Sequence, residues 1–119
     1  MKITRVDSNF EREKLNVSYR FKGSEVSELW QTVCYLESDS NHSAIGLGTQ
    51  SVLWSDPKVF FDHSENGGNA LMYAMSEYAL QLINNNSFTD PLAVLDELLS
   101  EVHAYGKIIT GNPDLRKTF

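Results

Sequence analysis

Trp30-Gln-Thr-Val-Cys-Tyr-Leu-Glu-Ser-Asp-Ser-Asn-His-Ser-Ala-Ile-Gly-Leu-Gly-Thr-Gln50 decides how the rest of the chain is read. Trp30, Thr32, Val33 and Tyr35 suit a pleated strand. Ser38 to Ser43 is made of turn formers and polar groups. Ala44 to Thr49 is apolar and punctuated by glycine. The stretch therefore predicts a β-hairpin with a longish turn. In the best strand, Leu29 to Glu37, one face carries Trp30, Thr32, Cys34 and Leu36, and the other carries Leu29, Gln31, Val33 and Tyr35. Neither face is plainly polar. Such a strand either lies between two layers or uses Thr, Gln and Tyr as an amphipathic outer face.

Upstream of the hairpin the chain is strand-like. Met1 to Asp7 reads as a strand carrying Ile3 and Val6. Ser8 to Lys14 reads as its bulged continuation or as a loop. Leu15 to Ser27 reads as a second short strand or a flap, broken at Lys22-Gly23-Ser24.

Downstream the period changes from strand to helix. Thr49 to Trp54 reads as a loop leaving the sheet. Asp56-Pro57 and Asp90-Pro91 each pair a capping side chain with a first-turn proline, which predicts helix starts. Lys58 to Asp62 reads as a short helix, interrupted by Ser64 to Gly68. Asn69 to Ile83 places Leu71, Met75, Tyr78 and Leu82 on one face, and Asn84-Asn-Asn86 ends that helix. The next helix carries a stripe of Leu92, Leu95, Leu98, Leu99 and Val102. Gly106 is one candidate stop for it, and continuation through Ile108-Ile109 is the other. Asp114 to Phe119 resembles the opening turn of a further helix. Strands first and helices second predict an α+β fold, a small antiparallel three-stranded sheet followed by a helical bundle packed on one face.

The chain has 119 residues, enough for one domain, and a length at which folding buries roughly two-thirds of the unfolded surface. The formal net charge is -6. An acidic chain lacks the electrostatic footprint for nucleic acid and gives no attraction to an anionic membrane surface. No apolar run approaches the roughly 20 residues needed to cross a bilayer. The single cysteine, Cys34, sits within the predicted strand, and a lone buried thiol fits a reducing, cytoplasmic location.

Candidate chemistry is thin. Asp62-His63-Ser64-Glu65 holds the residue types of a hydrolytic acid–base site, but neighbours in sequence point in different directions, so a polar connection between helices is the stronger reading. His42 falls in the hairpin turn, and His103 falls near a helix C-terminus, where it complements the dipole. The histidines lack metal-ligand spacing. Trp54, between a strand end and a helix start, is either a plug over the core or a contact residue. On residue types alone, Arg20-Phe-Lys-Gly23 reads as a solvated turn with one anchoring aromatic.

Taken in order, Met1-Lys-Ile-Thr-Arg-Val-Asp7, Phe21-Lys-Gly23, Leu36-Glu-Ser-Asp39 and Ile45-Gly-Leu-Gly48 resemble the start of an enolase-superfamily protein of the mandelate racemase/muconate lactonising type. The helices that follow fit the same pattern. The resemblance implies an N-terminal capping domain over residues 1–119. In such proteins the acid–base residues and the magnesium ligands lie on a separate C-terminal β/α barrel. A barrel takes about 250 residues, so this chain cannot hold one, and by that division of labour it has no catalytic residue, metal ligand or cofactor of its own. The resemblance also implies two specificity loops, Tyr19 to Ser24 and Thr49 to Trp54. Their contact residues would be Tyr19, Arg20, Phe21, Lys22, Thr49, Gln50 and Trp54. The expected partner is the barrel, and the chain alone should be inactive. A cap without its barrel should expose apolar surface and self-associate. The competing expectation from the residues is a self-contained, dimeric α+β interaction module without catalysis.

Overall fold

In a computed structural model, which describes residues 1–117, three antiparallel strands precede three helices. Strand β1 spans Ile3–Phe21, β2 Ser24–Ser38 and β3 Ser43–Gln50, in the spatial order β1-β2-β3. A 3₁₀ turn at Val52–Trp54 leads into α1 (Pro57–Asp62), α2 (Glu65–Ile83) and α3 (Pro91–Thr110). This is the α+β arrangement expected from the sequence.

The segment before the hairpin is simpler than its composition suggests. Of the two readings of Ser8 to Lys14, the continuation of the first strand forms and the loop does not, and Leu15 to Phe21 extends it, so that Ile3–Phe21 is one long edge strand. Its alternation is hidden by the charged run Glu11–Lys14, which an edge strand tolerates because one face meets water. β1 advances from Lys14 to Tyr19 while β2 moves only from Glu28 to Val26, so Leu15–Ser18 form a bulge. A bulge re-aims side chains, and here Leu15 packs against the core of Val26, Val52, Val59, Phe60 and Leu115. The strands then close tightly. Lys22 and Gly23 both have positive φ (48° and 89°), as a two-residue type I′ hairpin turn requires.

β2 settles the question left by its two near-apolar faces. Val26, Glu28, Trp30 and Thr32 are buried beneath the helices, whereas Leu29, Gln31, Val33 and Tyr35 are half-buried on the outer face. The inner face is held by one network. Arg12 donates to both carboxylate oxygens of Glu28 at 2.9 and 3.0 Å and to Asn66 Oδ1 on α2 at 2.9 Å. Trp30 Nε1–H donates to the same carboxylate at 2.8 Å. Phe10 stacks on Trp30 with ring centres 4.4 Å apart and meets Tyr73 of α2 edge-on. Burial opposes ionisation of Glu28, but the hydrogen bonds from Arg12 and Trp30, with the charges of Arg12 and Lys14, outweigh it and hold the carboxyl below its ordinary range.

Both aspartate–proline helix starts are present: Asp56 accepts from the Lys58 amide and Asp90 from the Leu92 amide. Helix α2 begins earlier than its apolar period indicates. Ser64 to Gly68 is not an interruption; Ser64 caps the helix by accepting from the Gly67 amide. Two adjacent glycines argue against a helix on propensity. Packing reverses the argument, since a Cβ at Gly68 would lie 2.1 Å from Val52 Cγ2. Helix α3 continues past Gly106 and ends at Gly111, which adopts the left-handed conformation with φ 63°. Gly106 is instead the contact point between helices, where a Cβ would come within 2.8 Å of Met75 Cε and Leu115 Cδ2. His103 is therefore within the helix body, and its Nε2–H donates to the Leu115 carbonyl at 2.6 Å, tying down the segment beyond α3. Asp114 to Lys117 are not helical, and Thr118 and Phe119 lie outside the described residues.

The stripe on α3 is only partly covered. Leu98 and Val102 are half-buried, whereas Leu92, Leu95 and Leu99 are exposed; the buried side chain of this stretch is Val94, outside the stripe. Exposed apolar side chains also occur on β3 (Ile45, Leu47) and at one end of the molecule (Phe21, Trp54, Phe61). Among the described residues, no helix is long and apolar enough to cross a membrane.

Candidate functional site

The two segments singled out as specificity loops share a support in Phe60 of α1. Phe21 packs edge-on against Phe60 of α1 at 6.4 Å. Phe60 shares a core with Val26 beneath the hairpin and Val52 of the 3₁₀ turn. One aromatic of a short helix thus supports both the hairpin tip and the segment that follows β3. Phe61, the next residue, is half-exposed and lies 5.0 Å from Phe60. The sequence reading omitted this pair. Its signal was available, because two adjacent aromatics on a six-residue helix cannot both face inward.

The candidate residues divide by what their side chains already do. Tyr19, Arg20 and Phe21 lie in the last part of β1, beyond the bulge, and Lys22 begins the turn. Tyr19 and Phe21 are each a little under half exposed, and the Lys22 ammonium lies 5.5 Å from the Phe21 ring. The expected loops are shorter than the resemblance implied: Tyr19–Phe21 belong to β1, and Thr49 and Gln50, expected in a loop, are the last residues of β3. Thr49 Oγ1 donates to Gln31 Oε1 on the neighbouring strand at 2.8 Å. The Gln50 amide is used at both ends: its oxygen accepts from Thr32 Oγ1 at 3.0 Å and its nitrogen donates to the Asn69 carbonyl at 2.7 Å. Trp54, by contrast, is 74% exposed at the crest of the 3₁₀ turn. It does not plug the core.

Two buried polar side chains, Asn69 and Asp56, and the half-buried Glu65 fix the mount beneath these residues. Asn69, fully buried on α2, accepts from the Val52 amide at 2.9 Å, and so pins the 3₁₀ turn to the helix. Asp56 caps α1 with one oxygen and accepts from the Arg116 amide with the other, at 3.0 Å. Glu65 accepts from the Ser27 amide at 2.7 Å and the Glu28 amide at 3.0 Å. The bulge leaves Ser27 without a partner on β1, and the carboxylate replaces it. These anchors join residues far apart in sequence, and no local pattern reports them.

The Asp62–Glu65 segment is structural. Ser64 is a helix cap, Glu65 clamps β2, and His63 Nδ1 lies 3.1 Å from the Val59 carbonyl within its own turn. A nucleophile–base pair is not assembled from them. Cys34 borders an open cleft of about 380 Å³ with Thr32, Gly46, Gly48, Gln50 and Ser76. Burial pushes its thiol pKa up, away from reactivity at neutral pH. Among the described residues, no group of three or more His, Cys, Asp or Glu side chains is placed to hold a metal ion.

The backbone matches the L-Ala-D/L-Glu epimerase from Bacillus subtilis, determined as a substrate-liganded complex, with a TM-score of 0.52 over 86% of this chain, at 14% identity. The likeness is one of fold: three antiparallel strands followed by helices. The chain spans about a quarter of the epimerase, 26% of its length. A dipeptide epimerase from Enterococcus faecalis, complexed with Mg and the dipeptide L-Leu-L-Tyr, matches with a TM-score of 0.47 over 92% of this chain and 26% of its own, at 14% identity. No protein-family model matches the chain, and no curated protein does. Phe60 thus links the β1–β2 hairpin tip to the Val52–Trp54 turn, and Asn69 ties that turn to α2.

Proposed function

We propose that the chain is the substrate-specificity cap of an enolase-superfamily enzyme whose catalytic groups lie on a β/α barrel. The parent reaction begins with removal of a proton next to a carboxylate, followed by racemisation, epimerisation, dehydration or cycloisomerisation. The barrel supplies the base and the magnesium-holding carboxylates; the residues of this chain do not perform the proton transfer. Tyr19, Arg20, Phe21, Lys22 and Trp54 close over the barrel mouth and sort substrates. Thr49 and Gln50 act one step back by fixing the end of β3, from which the Trp54 turn departs.

The observation that carries this reading is the shared support of the two segments on Phe60, with an exposed tryptophan on one and an exposed aromatic–cation pair on the other. Rigid elements beneath exposed aromatics are what a recognition surface needs, because little ordering entropy is lost on contact. The exposed Leu92, Leu95 and Leu99 stripe supports the presence of a partner domain, since an apolar stripe on a helix is normally covered.

Exchange of the α-proton of amino-acid and dipeptide carboxylates, measured in deuterated water with magnesium, tests the division of labour. The 119-residue chain alone is expected to give none, and the same chain joined to its barrel is expected to exchange. Exchange by the isolated chain would overturn the proposal.

A further inference from the structure

The two edges of the sheet are built differently. β1 carries charge along its whole length, from Arg5 and Asp7 through Glu11–Lys14 to Arg20, and it is broken by the Leu15–Ser18 bulge. These are the devices by which proteins keep an edge strand from pairing with another chain. β3, Ser43-Ala-Ile-Gly-Leu-Gly-Thr-Gln50, has none of them: no charge, no proline and no break in its register with β2. Ile45 and Leu47 are 69% and 78% exposed on its outer face. They continue an apolar surface onto Val33 and Tyr35, their register partners on β2. On the inner face Gly46 and Gly48 have open space where a Cβ would stand.

We propose that β3 pairs antiparallel with β3 of a second copy of this chain, making a continuous six-stranded sheet across a two-fold axis. The register follows from the apolar pattern. Residues directly opposite in an antiparallel pair share a face, so centring the axis on Gly46 sets Ile45 against Leu47 of the second copy twice over. It also keeps nearly the whole strand paired, from Ser43 opposite Thr49 to Thr49 opposite Ser43. Centring on Ile45 or Leu47 would set one apolar side chain against a polar one.

Charge favours this occupant in an acidic protein. The paired strands are neutral, and the antiparallel axis puts the hairpin turn with Asp39 of one copy beside the uncharged Thr49–Gln50 end of the other. The two acidic turns therefore stand at opposite ends of the shared edge. The symmetry is of the closed, isologous kind, which stops at a dimer and does not propagate. The proposal is independent of the capping reading, because a cap and a self-contained module would present the same edge.

Sedimentation equilibrium of the 119-residue chain over a dilution series, with Leu47→Lys alongside, tests it. The side chain at 47 is largely in solvent, so the substitution should leave the circular dichroism unchanged. The expected result is a concentration-dependent dimer whose dissociation constant rises at least roughly tenfold in the variant, a loss of more than about 1.4 kcal/mol. Gly46→Cys provides a second readout that does not depend on affinity. In a Cys34→Ser background, which removes the register partner across β2, oxidation should link two chains through position 46. Gly48→Cys in the same background should give no such link. A protein that is monomeric throughout the series overturns the proposal. So does a dimer that is indifferent to Leu47→Lys, which would place the contact elsewhere, or a dimer that crosslinks equally through 46 and 48.

Discussion

The β1–β2 half of the sheet and β3 are built from similar strands but are held in opposite ways. Over β1 and β2 the inner face is roofed by α2 and locked by Arg12, Glu28, Trp30, Phe10 and Tyr73. β3 is hydrogen-bonded to β2 and has nearly every residue exposed. One half is a self-sufficient mount, and the other is a presented surface that leads into the Trp54 turn. Stability should therefore concentrate in the first half and recognition in the second.

The largest separation between the two halves should come from Arg12→Ala. It leaves the Glu28 carboxylate buried without its ionic partner. A fully buried broken pair costs about 3–5 kcal/mol. Because Arg12 is about half exposed, the lower end applies, and a loss of about 3 kcal/mol is expected in urea unfolding. Gly68→Ala should follow at about 2 kcal/mol, from overpacking against Val52. The same substitution in an open helix would stabilise by up to about 1 kcal/mol, so the sign alone distinguishes close packing from propensity.

Acid gives a third test of the mount. The carboxyl of Glu28 has its pKa lowered in the folded protein, so its contribution is complete above the unfolded-state value of about 4.3 and disappears as pH falls through the folded-state value. Stability followed by thermal melts should fall with pH below about 4.3, and less steeply in Glu28→Gln. The smallest effect belongs to β3. In the monomer, at protein concentrations below the dimer dissociation constant, Ile45→Thr keeps β-branching on an exposed site and should change stability by less than about 0.5 kcal/mol. A loss as large as that for Arg12→Ala would erase the distinction between the halves.

The parts of the fold legible in the sequence are those written locally. The hairpin followed from alternation and turn residues, and two helix starts from an aspartate before a proline. Features written across distance were not legible. Arg12 meets Glu28 only because of strand register, and Glu65 reaches β2 only because a bulge frees the Ser27 amide. Gly68 read as a break because the contact with Val52 that requires it cannot be seen in a local window. The α3 stripe was legible as an apolar face, but that Leu92, Leu95 and Leu99 of it are exposed was not, since periodicity reports an apolar face and not what covers it. For the candidate site, Tyr19 to Lys22 and Trp54 were named from a family resemblance. Their common support on Phe60 came only from the three-dimensional arrangement.

The most direct test of the mount-and-surface account is the substrate profile of the barrel-joined protein with Trp54→Ala. Trp54 is exposed and lies outside the core, so its removal should leave the melting temperature within about 2 °C. Across a panel of carboxylate substrates differing in side-chain size, the ratios of kcat/KM should shift by roughly tenfold, mainly through KM, because a contact with substrate is lost while the reacting groups are untouched. An unchanged profile, or a uniform fall in kcat for every substrate, would contradict the assignment of this surface to substrate choice.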